Sequence, residues 1–348
     1  MADQRADDGL VDVLRASVLE ELRRLLAGHR SVAIVDFPFH RNAGDAAIWA
    51  GERAALSALG VDARYVADAW LYRPDRLREA HPDGPVLLHG GGNVGDIWPW
   101  AQERREQLLR DLPDRDVIQL PQSIHFSSQD AAARFAEVIA KHGRYTLCVR
   151  DADSRERGRE LGAASVVLMP DMAFGLGPIR RRPRGTTPVL VLARDDREAA
   201  GGLSRASLPA TVRREDWRLG RWADAGWHVR RDAVRAARLL AGAPALARAS
   251  RPPLTRTYDG MARVVLEHGL DLLASADVVV SDRLHAHILC LLLGLPHVML
   301  DNTYGKIGAF HRQWTQASAT TWWATDPVEA VARGVDLSRV VRSQAEDH

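Results

Sequence analysis

One stretch constrains the fold of this chain more than any other. Asp277-Val278-Val279-Val280 is a short apolar run that ends in the polar cluster Ser281-Asp282-Arg283-Leu284-His285-Ala286-His287. The cluster opens into a second apolar run, Ile288 to Leu293, and Gly294-Leu295-Pro296 separates that run from a third, His297 to Leu300. Short apolar runs punctuated in this way read as strand, charged corner, buried helix, turn and strand. Such a passage belongs to a parallel sheet, and open parallel sheets bind ligands outside the carboxyl ends of their strands. At that point this sequence places an acid, an arginine and two histidines.

The rest of the chain alternates in the same manner. Helical spacing covers residues 10–27, with Gly28 as its stop. Strands are predicted at 31–37, 63–66, 85–88, 116–120, 145–149 and 165–169, with helices at 46–59, 130–142 and up to Leu161 between them. Polar residues recur at the exits: Asp45, Asn93, His125, Arg150 and Asp171. Right-handed crossovers put all five on one edge of one sheet, where they converge on one crevice. Asp45 is also a candidate N-cap, a role worth about 1 kcal/mol by itself. Residues 177–188, rich in proline, glycine and arginine, read as a linker. The division is therefore 1–178, a linker at 179–187, and 188–348. In the second half a strand is expected at 189–192, a mobile loop or lid at 194–215, a strand at 226–229 and a helix at 233–241. An irregular segment at 242–257 and a helix at 261–273 follow, and a last helix lies near 327–333.

The string His89-Gly90-Gly91-Gly92-Asn93-Val94-Gly95-Asp96 follows a predicted strand. Consecutive glycines let a ligand or a second backbone come close. Gly90, Gly92 and Gly95 fit G-x-G-x-x-G, but the next strand ends in Leu120-Pro121-Gln122 without the acid that a dinucleotide site needs, and the lysine of a P-loop is absent. No G-x-S-x-G occurs, which argues against a serine hydrolase. Asn93 and Asp96 beside the glycines favour a ligand loop over a packing turn.

Composition limits the partners. The chain's 348 residues suffice for two domains, and its net charge of +2 argues against a dedicated nucleic-acid binder. No apolar run approaches the ~18 residues that span a bilayer, and the polar start shows no secretory signal. Cys148 and Cys290 sit inside apolar runs and read as buried free thiols of a cytoplasmic protein. Lysine occurs only at Lys141 and Lys306, so Lys306 stands out from an arginine background. The basic run in the linker could touch an anionic membrane, although a solvated linker explains it as well.

His285 and His287 are two residues apart. On a helix they diverge by about 200° and cannot share one ion. The helical reading therefore argues against a metal pair and assigns His287 to packing. Arg283 offers a planar fork for carboxylate or phosphate, just before a helix N-terminus that also favours anions. An ion pair with Asp282 or Asp277 is its structural alternative. His285 can donate a proton near neutral pH. Lys306, Asn302 and Tyr304 lie at the neighbouring strand exit, and together these groups suit a small, doubly charged ligand.

The ordered set Asn42-Ala43-Gly44-Asp45, His89 to Asp96, Leu120 to Phe126, Ser281 to His287 and Asp301 to Lys306 resembles the polysaccharide pyruvyltransferase family, nearest its bacterial exopolysaccharide members. The resemblance runs from about Val32 to Trp314. It implies an α/β, GT-B-like fold with two Rossmann-like domains facing across a cleft. It also implies transfer of pyruvate from phosphoenolpyruvate to a sugar of an exopolysaccharide or cell-surface glycan, or its precursor, as a ketal, with release of phosphate and no cofactor. By the same resemblance Arg283, Leu284 and His285 bind phosphoenolpyruvate, and Arg150 joins them from the first half. His285 then serves as proton donor, and Arg283, Arg150 and Lys306 hold the anions with Asn302 and Tyr304 beside them. Asp45, with His125 as substitute, is the acceptor-side base, and Asn42, Gly91, Gly92, Asn93 and Asp96 complete that side. The acceptor can be lipid-linked or nucleotide-linked, which puts the reaction in the cytoplasm, at the inner face of the membrane in the lipid-linked case. A GT-B glycosyltransferase using a nucleotide sugar and a non-catalytic glycan-binding protein are the alternatives.

Overall fold

The computed structural model describes residues 2–180, 185–194, 202–217, 219–240, 244–303 and 305–346. Strand and helix alternate through two parallel, Rossmann-like sheets. The first contains β1 (Ser31–Val35), β2 (Asp62–Ala67), β3 (Val86–Leu88), β4 (Gly91–Gly95), β5 (Val117–His125), β6 (Tyr145–Val149) and β7 (Ser165–Leu168). Its order is β2-β1-β3-β5-β6-β7, with β4 also paired to β5. The second contains β8 (Thr187–Leu192), β9 (Val212–Glu215), β10 (Ala276–Ser281), β11 (His297–Met299) and β12 (Thr321–Trp323), in the order β12-β11-β10-β8-β9. Residues 276–299 form β10, the helix Leu284–Leu293 and β11. Gly294, at φ 59°, ends that helix in the left-handed conformation glycine adopts without strain.

Several expectations need correction. The glycine string is not a loop: Gly91–Gly95 forms β4, a continuation of β3 interrupted at His89 and Gly90. Gln119 and Gln122 stitch the interruption by donating side-chain hydrogen bonds to the His89 carbonyl at 2.8 and 3.0 Å. Strand β5 does not stop at Leu120. It passes through Pro121 to His125, and its register against β6 shifts between Gln119 and Gln122, the kind of irregularity that lets a sheet accept a residue without an N–H. Residues 226–229 are helical, within Arg221–Leu240. Trp227 and Val234 share its buried face at a seven-residue spacing, whereas Val229 is exposed. The segment 242–257 contains the helices Pro244–Ala249 and Arg251–Ala274, where Pro252 and Pro253 occupy first-turn positions whose N–H groups no helix uses. The expected loop at 194–215 contains the helix Gly202–Arg205 and β9, with 195–201 outside the described residues. Residues 181–184 of the expected linker also lie outside them.

One apolar core runs through both halves and includes Val35, Leu88 and Leu147 as well as Leu192, Val279 and Leu289. The helix Arg251–Ala274 belongs to the second half by sequence yet packs on the first. Trp49 Nε1 donates to Asp259 at 2.9 Å, and the Phe37 and Tyr258 rings stack at 4.3 Å. In the opposite direction, buried Asp7 of the first helix (Ala2–Leu26) accepts from the N–H groups of Ala319 and Thr320. Crossed contacts of this kind hold the two sheets in fixed relation, and that relation places the residues described next.

Candidate active site

The carboxyl ends of both sheets open onto one cavity of about 290 Å³. Arg150 enters it from the exit of β6, almost wholly buried. Its Nη1 donates to Asp171 at 2.6 Å and its Nε to Ser123 Oγ at 3.0 Å. Trp314, from the other half, donates to the Arg150 carbonyl at 2.8 Å. A Cβ on Gly92 would lie 3.0 Å from Arg150 Nη2 and 3.5 Å from Lys306 Nζ. Cations from opposite halves therefore meet above a residue with no side chain to obstruct them. Lys306 begins the helix Lys306–Phe310. Its N–H donates to Asn302 Oδ1 at 3.1 Å, and Asp301 accepts from the N–H groups of Ile307 and Gly308.

Arg283 occupies the N-cap position of Leu284–Leu293 in extended conformation, and no side chain caps that helix. Leu284 and His285, in its first turn, line the cavity, so the positive end of the helix adds to the cations there. The Arg283 fork does not pair with Asp282 or Asp277. Nη2 donates to Asp216 at 2.5 Å and to the Ala193 carbonyl at 3.3 Å. Asp282 accepts from the Arg194 N–H, and Asp277 accepts from Arg342.

His285 spans the two halves. A Cβ on Gly44 would fall 2.5 Å from its Nδ1, so the ring rests on the bare backbone of helix Ala43–Ala58. Its Nε2 lies 3.4 Å from Asp171 Oδ2. Burial works against ionisation of Asp171, but His285, Arg150 and the Ala173 N–H outweigh it and hold the carboxyl well below the ordinary range. Asp45 is similar: burial raises it, while His40, His285, His89 and Arg150 bring it below the usual carboxylate value. His40 Nε2 stands 3.7 Å from Asp45 Oδ2. The N-cap of that helix is Asn42, whose Oδ1 accepts from the Gly44 N–H at 2.8 Å, and this leaves the Asp45 carboxylate to the cavity.

Of the residues expected from sequence, Asn42, Asp45, Gly92, Asn93, Arg150, Arg283, Leu284, His285 and Lys306 share this cavity. Gly91 lies in β4 directly behind it at φ 137°. Asn302 stands outside the lining and positions Lys306. His125 is carried away because β5 continues four residues past Pro121, roughly 13 Å at strand rise. Asp96 is directed elsewhere: it accepts from the N–H groups of Ser127 and Ser128 and from the Ser127 hydroxyl. Tyr304 lies outside the described residues. His287 is fully buried, with Nδ1 2.7 Å from His297 Nε2 and Nε2 2.7 Å from Thr315 Oγ1. Sequence reasoning missed His40, Trp98, Trp100, Arg194 and Trp217 in the lining. Three of them carried a signal: Arg194 follows β8 on the same sheet edge, and Trp98-Pro99-Trp100 is an aromatic cluster just past the glycines.

Comparison with known proteins agrees with this arrangement. The chain is 33% identical over 344 residues to pyruvyl transferase 1 of Schizosaccharomyces pombe, covering 90% of this chain and 76% of that protein. It is 26% identical to a provisionally named pyruvyl transferase, EpsO, of Bacillus subtilis, covering 87% and 91%. A crystal structure of an uncharacterized Klebsiella pneumoniae protein shares the fold, with a TM-score of 0.54 at 16% identity, over 90% of this chain and 98% of that one. Residues 42–304, which contain every side chain of the cavity except His40 and Lys306, match the polysaccharide pyruvyl transferase family, and the chain belongs to that family.

Proposed function

We propose that this pyruvyltransferase takes its pyruvyl group from phosphoenolpyruvate and attaches it to two hydroxyls of one acceptor sugar as a ketal, releasing phosphate. The supporting observation is the convergence of Arg150, Arg194, Arg283 and Lys306 on a cavity where, among the described residues, Asp45 is the one carboxylate of the lining. Such a set favours a compact ligand bearing both a carboxylate and a phosphate. In this reading the first half receives the acceptor and the second half the donor. His285 donates a proton to the methylene carbon, leaving an oxocarbenium-like centre at the adjacent carbon. One sugar hydroxyl adds there and loses its proton. The bond to phosphate then breaks, the phosphate leaves, and the second hydroxyl closes the ketal with loss of its own proton. Asp45, an anion at neutral pH, accepts the hydrogen of an attacking hydroxyl. Asp171 orients His285 and Arg150. Asn302 holds Lys306 on the donor side, and Gly91 backs the acceptor wall.

Work on a lipid-linked acceptor would bring the chain to the inner face of the membrane. No helix among the described residues is long and apolar enough to cross one.

Phosphoenolpyruvate at about a hundred times its dissociation constant should add ~2.7 kcal/mol to stability and raise the melting temperature. Uridine and guanosine diphosphate sugars should do so only where one of them is the acceptor. The reverse pattern would mark a glycosyltransferase, and stabilisation by phosphoenolpyruvate with no pyruvylated product under any acceptor would mark a binding protein. A narrower check uses Gly92→Val. Its side chain enters the space between Arg150 and Lys306, so phosphoenolpyruvate binding should weaken at least ~10-fold, the loss of one charge-assisted contact. Unchanged affinity in the thermal titration would separate those two cations from the donor.

A further inference from the structure

A second cavity, of about 240 Å³, opens over the carboxyl ends of β1 and β3. These neighbours are the switch point of the first sheet, because the chain leaves β1 for β2 on one side and builds from β3 towards β7 on the other. Ligands of open α/β sheets sit at such points. Asp36, directly after β1, lines this cavity from a backbone at φ 75°. That conformation costs a non-glycine residue on the order of 1–2 kcal/mol. The Asp36 side chain makes neither a hydrogen bond nor an ion pair among the described residues. Tyr72, also in the lining, has a buried hydroxyl with no partner. A buried polar group left unmatched needs an explanation, and the Tyr72 hydroxyl shares its cavity with the half-buried Asp36 carboxyl. Trp70 stands at its edge, 71% exposed, with Arg238 5.6 Å from its ring centre.

Two of the three arginines that line the cavity are already engaged. Arg105 donates to Gln119 at 2.7 Å, to Gln102 at 2.8 Å and to Asn93 Oδ1 at 2.5 Å. Arg104 donates to the Ala69 carbonyl. Arg73 is the third, and the carboxyls of Asp36 and Asp111 in the same lining oppose it, so the cavity disfavours phosphate. Its volume is below the ~300–1,000 Å³ of sites for larger ligands, so it suits one ring better than a nucleotide sugar. Arg105 lines this cavity and Asn93 lines the candidate active site, so their hydrogen bond forms a shared wall.

We infer that the second cavity binds a neutral hexose ring of the acceptor glycan, adjacent to the ring that is pyruvylated, with Asp36 and Tyr72 taking its hydroxyls and Trp70 its apolar face. The identity of this ligand rests on the function proposed above. The site supplies what a sugar needs: acceptors and donors for hydroxyl groups beside an aromatic surface for the C–H face. Acceptor choice would then be read by a ring that undergoes no chemistry.

The test uses the full chain and saturation-transfer NMR with the methyl glycosides of glucose, galactose, mannose and N-acetylglucosamine. At least one should bind, and Asp36→Asn should weaken it about 10-fold, as expected for a lost hydrogen bond to a charged group. Trp70→Ala should weaken it as well and, at an exposed position, should fold normally. Both variants should keep the wild-type thermal shift with phosphoenolpyruvate. Absence of binding by all four glycosides, or binding that survives both substitutions, would overturn the inference. The two readings fail separately. Glycoside binding lost in the variants, without any phosphoenolpyruvate shift in the wild type, removes the proposed donor and keeps this site. The shift without glycoside binding removes this site and keeps the donor.

Discussion

Arg283→Ala is expected to abolish the thermal shift with phosphoenolpyruvate and to lower phosphate release by about 10²–10³-fold, the usual effect of losing one charge-stabilising donor. The guanidinium is nearly buried, and Asp216 and the Ala193 carbonyl fix its orientation before any ligand arrives. A donor anion thus meets a cation that is already oriented, at a helix N-terminus with no side-chain cap. Arg283→Lys should recover little, because an ammonium cannot satisfy both partners and still present a planar fork. The fold should survive either change: Asp216 is 38% exposed and can turn to water. Full turnover by Arg283→Ala, with native melting behaviour, would remove this residue from the site.

Asp171→Asn is expected to be the most destabilising isosteric change near the cavity, at about 3–5 kcal/mol, because it leaves the Arg150 guanidinium buried without its counter-charge. The effect should depend on pH with a definite sign. The folded-state pKa of Asp171 is depressed, against about 3.9 for an unfolded aspartate. Its contribution is therefore complete above the unfolded value and is lost as pH falls below about 4 toward the lower folded value. In urea titrations, the stability gap between wild type and Asp171→Asn should stay level from neutral pH to about 5 and narrow below about 4. A gap that stays level down to pH ~3 would show that the carboxylate is not held ionised by its neighbours. Because Asp171 also orients His285, kcat should fall more than KM rises.

Much of the architecture was legible because alternation of apolar runs is a local property. The order strand, polar corner, buried helix, strand is written in residues 277–300, and the structure follows it closely. Local rules failed where a residue type has two uses. Pro121 reads as a stop, yet β5 accepts it at a shift in register. Pro252 and Pro253 read as breakers, yet they begin a helix. Three consecutive glycines read as a loop, yet Gly91 and Gly92 begin β4, which pairs with β5, and a Cβ at 92 would crowd the Arg150 guanidinium. Asp171 shows a different limit. Its place at a strand exit was visible, but its partner His285 is more than a hundred residues away and meets it only because the halves pack together.

The sequence by itself determined the parallel α/β class, the exits that carry polar groups, and the unit Arg283-Leu284-His285 with Lys306 beyond it. Those features depend on residue type and short-range spacing. Only the tertiary structure decided which exits face each other. Helix Arg251–Ala274 packs across to the first half, Gly44 admits the His285 ring, and Trp314 holds the backbone of Arg150. These contacts join residues remote in the chain, and their geometry follows from the packing of two cores into one, which no local pattern encodes.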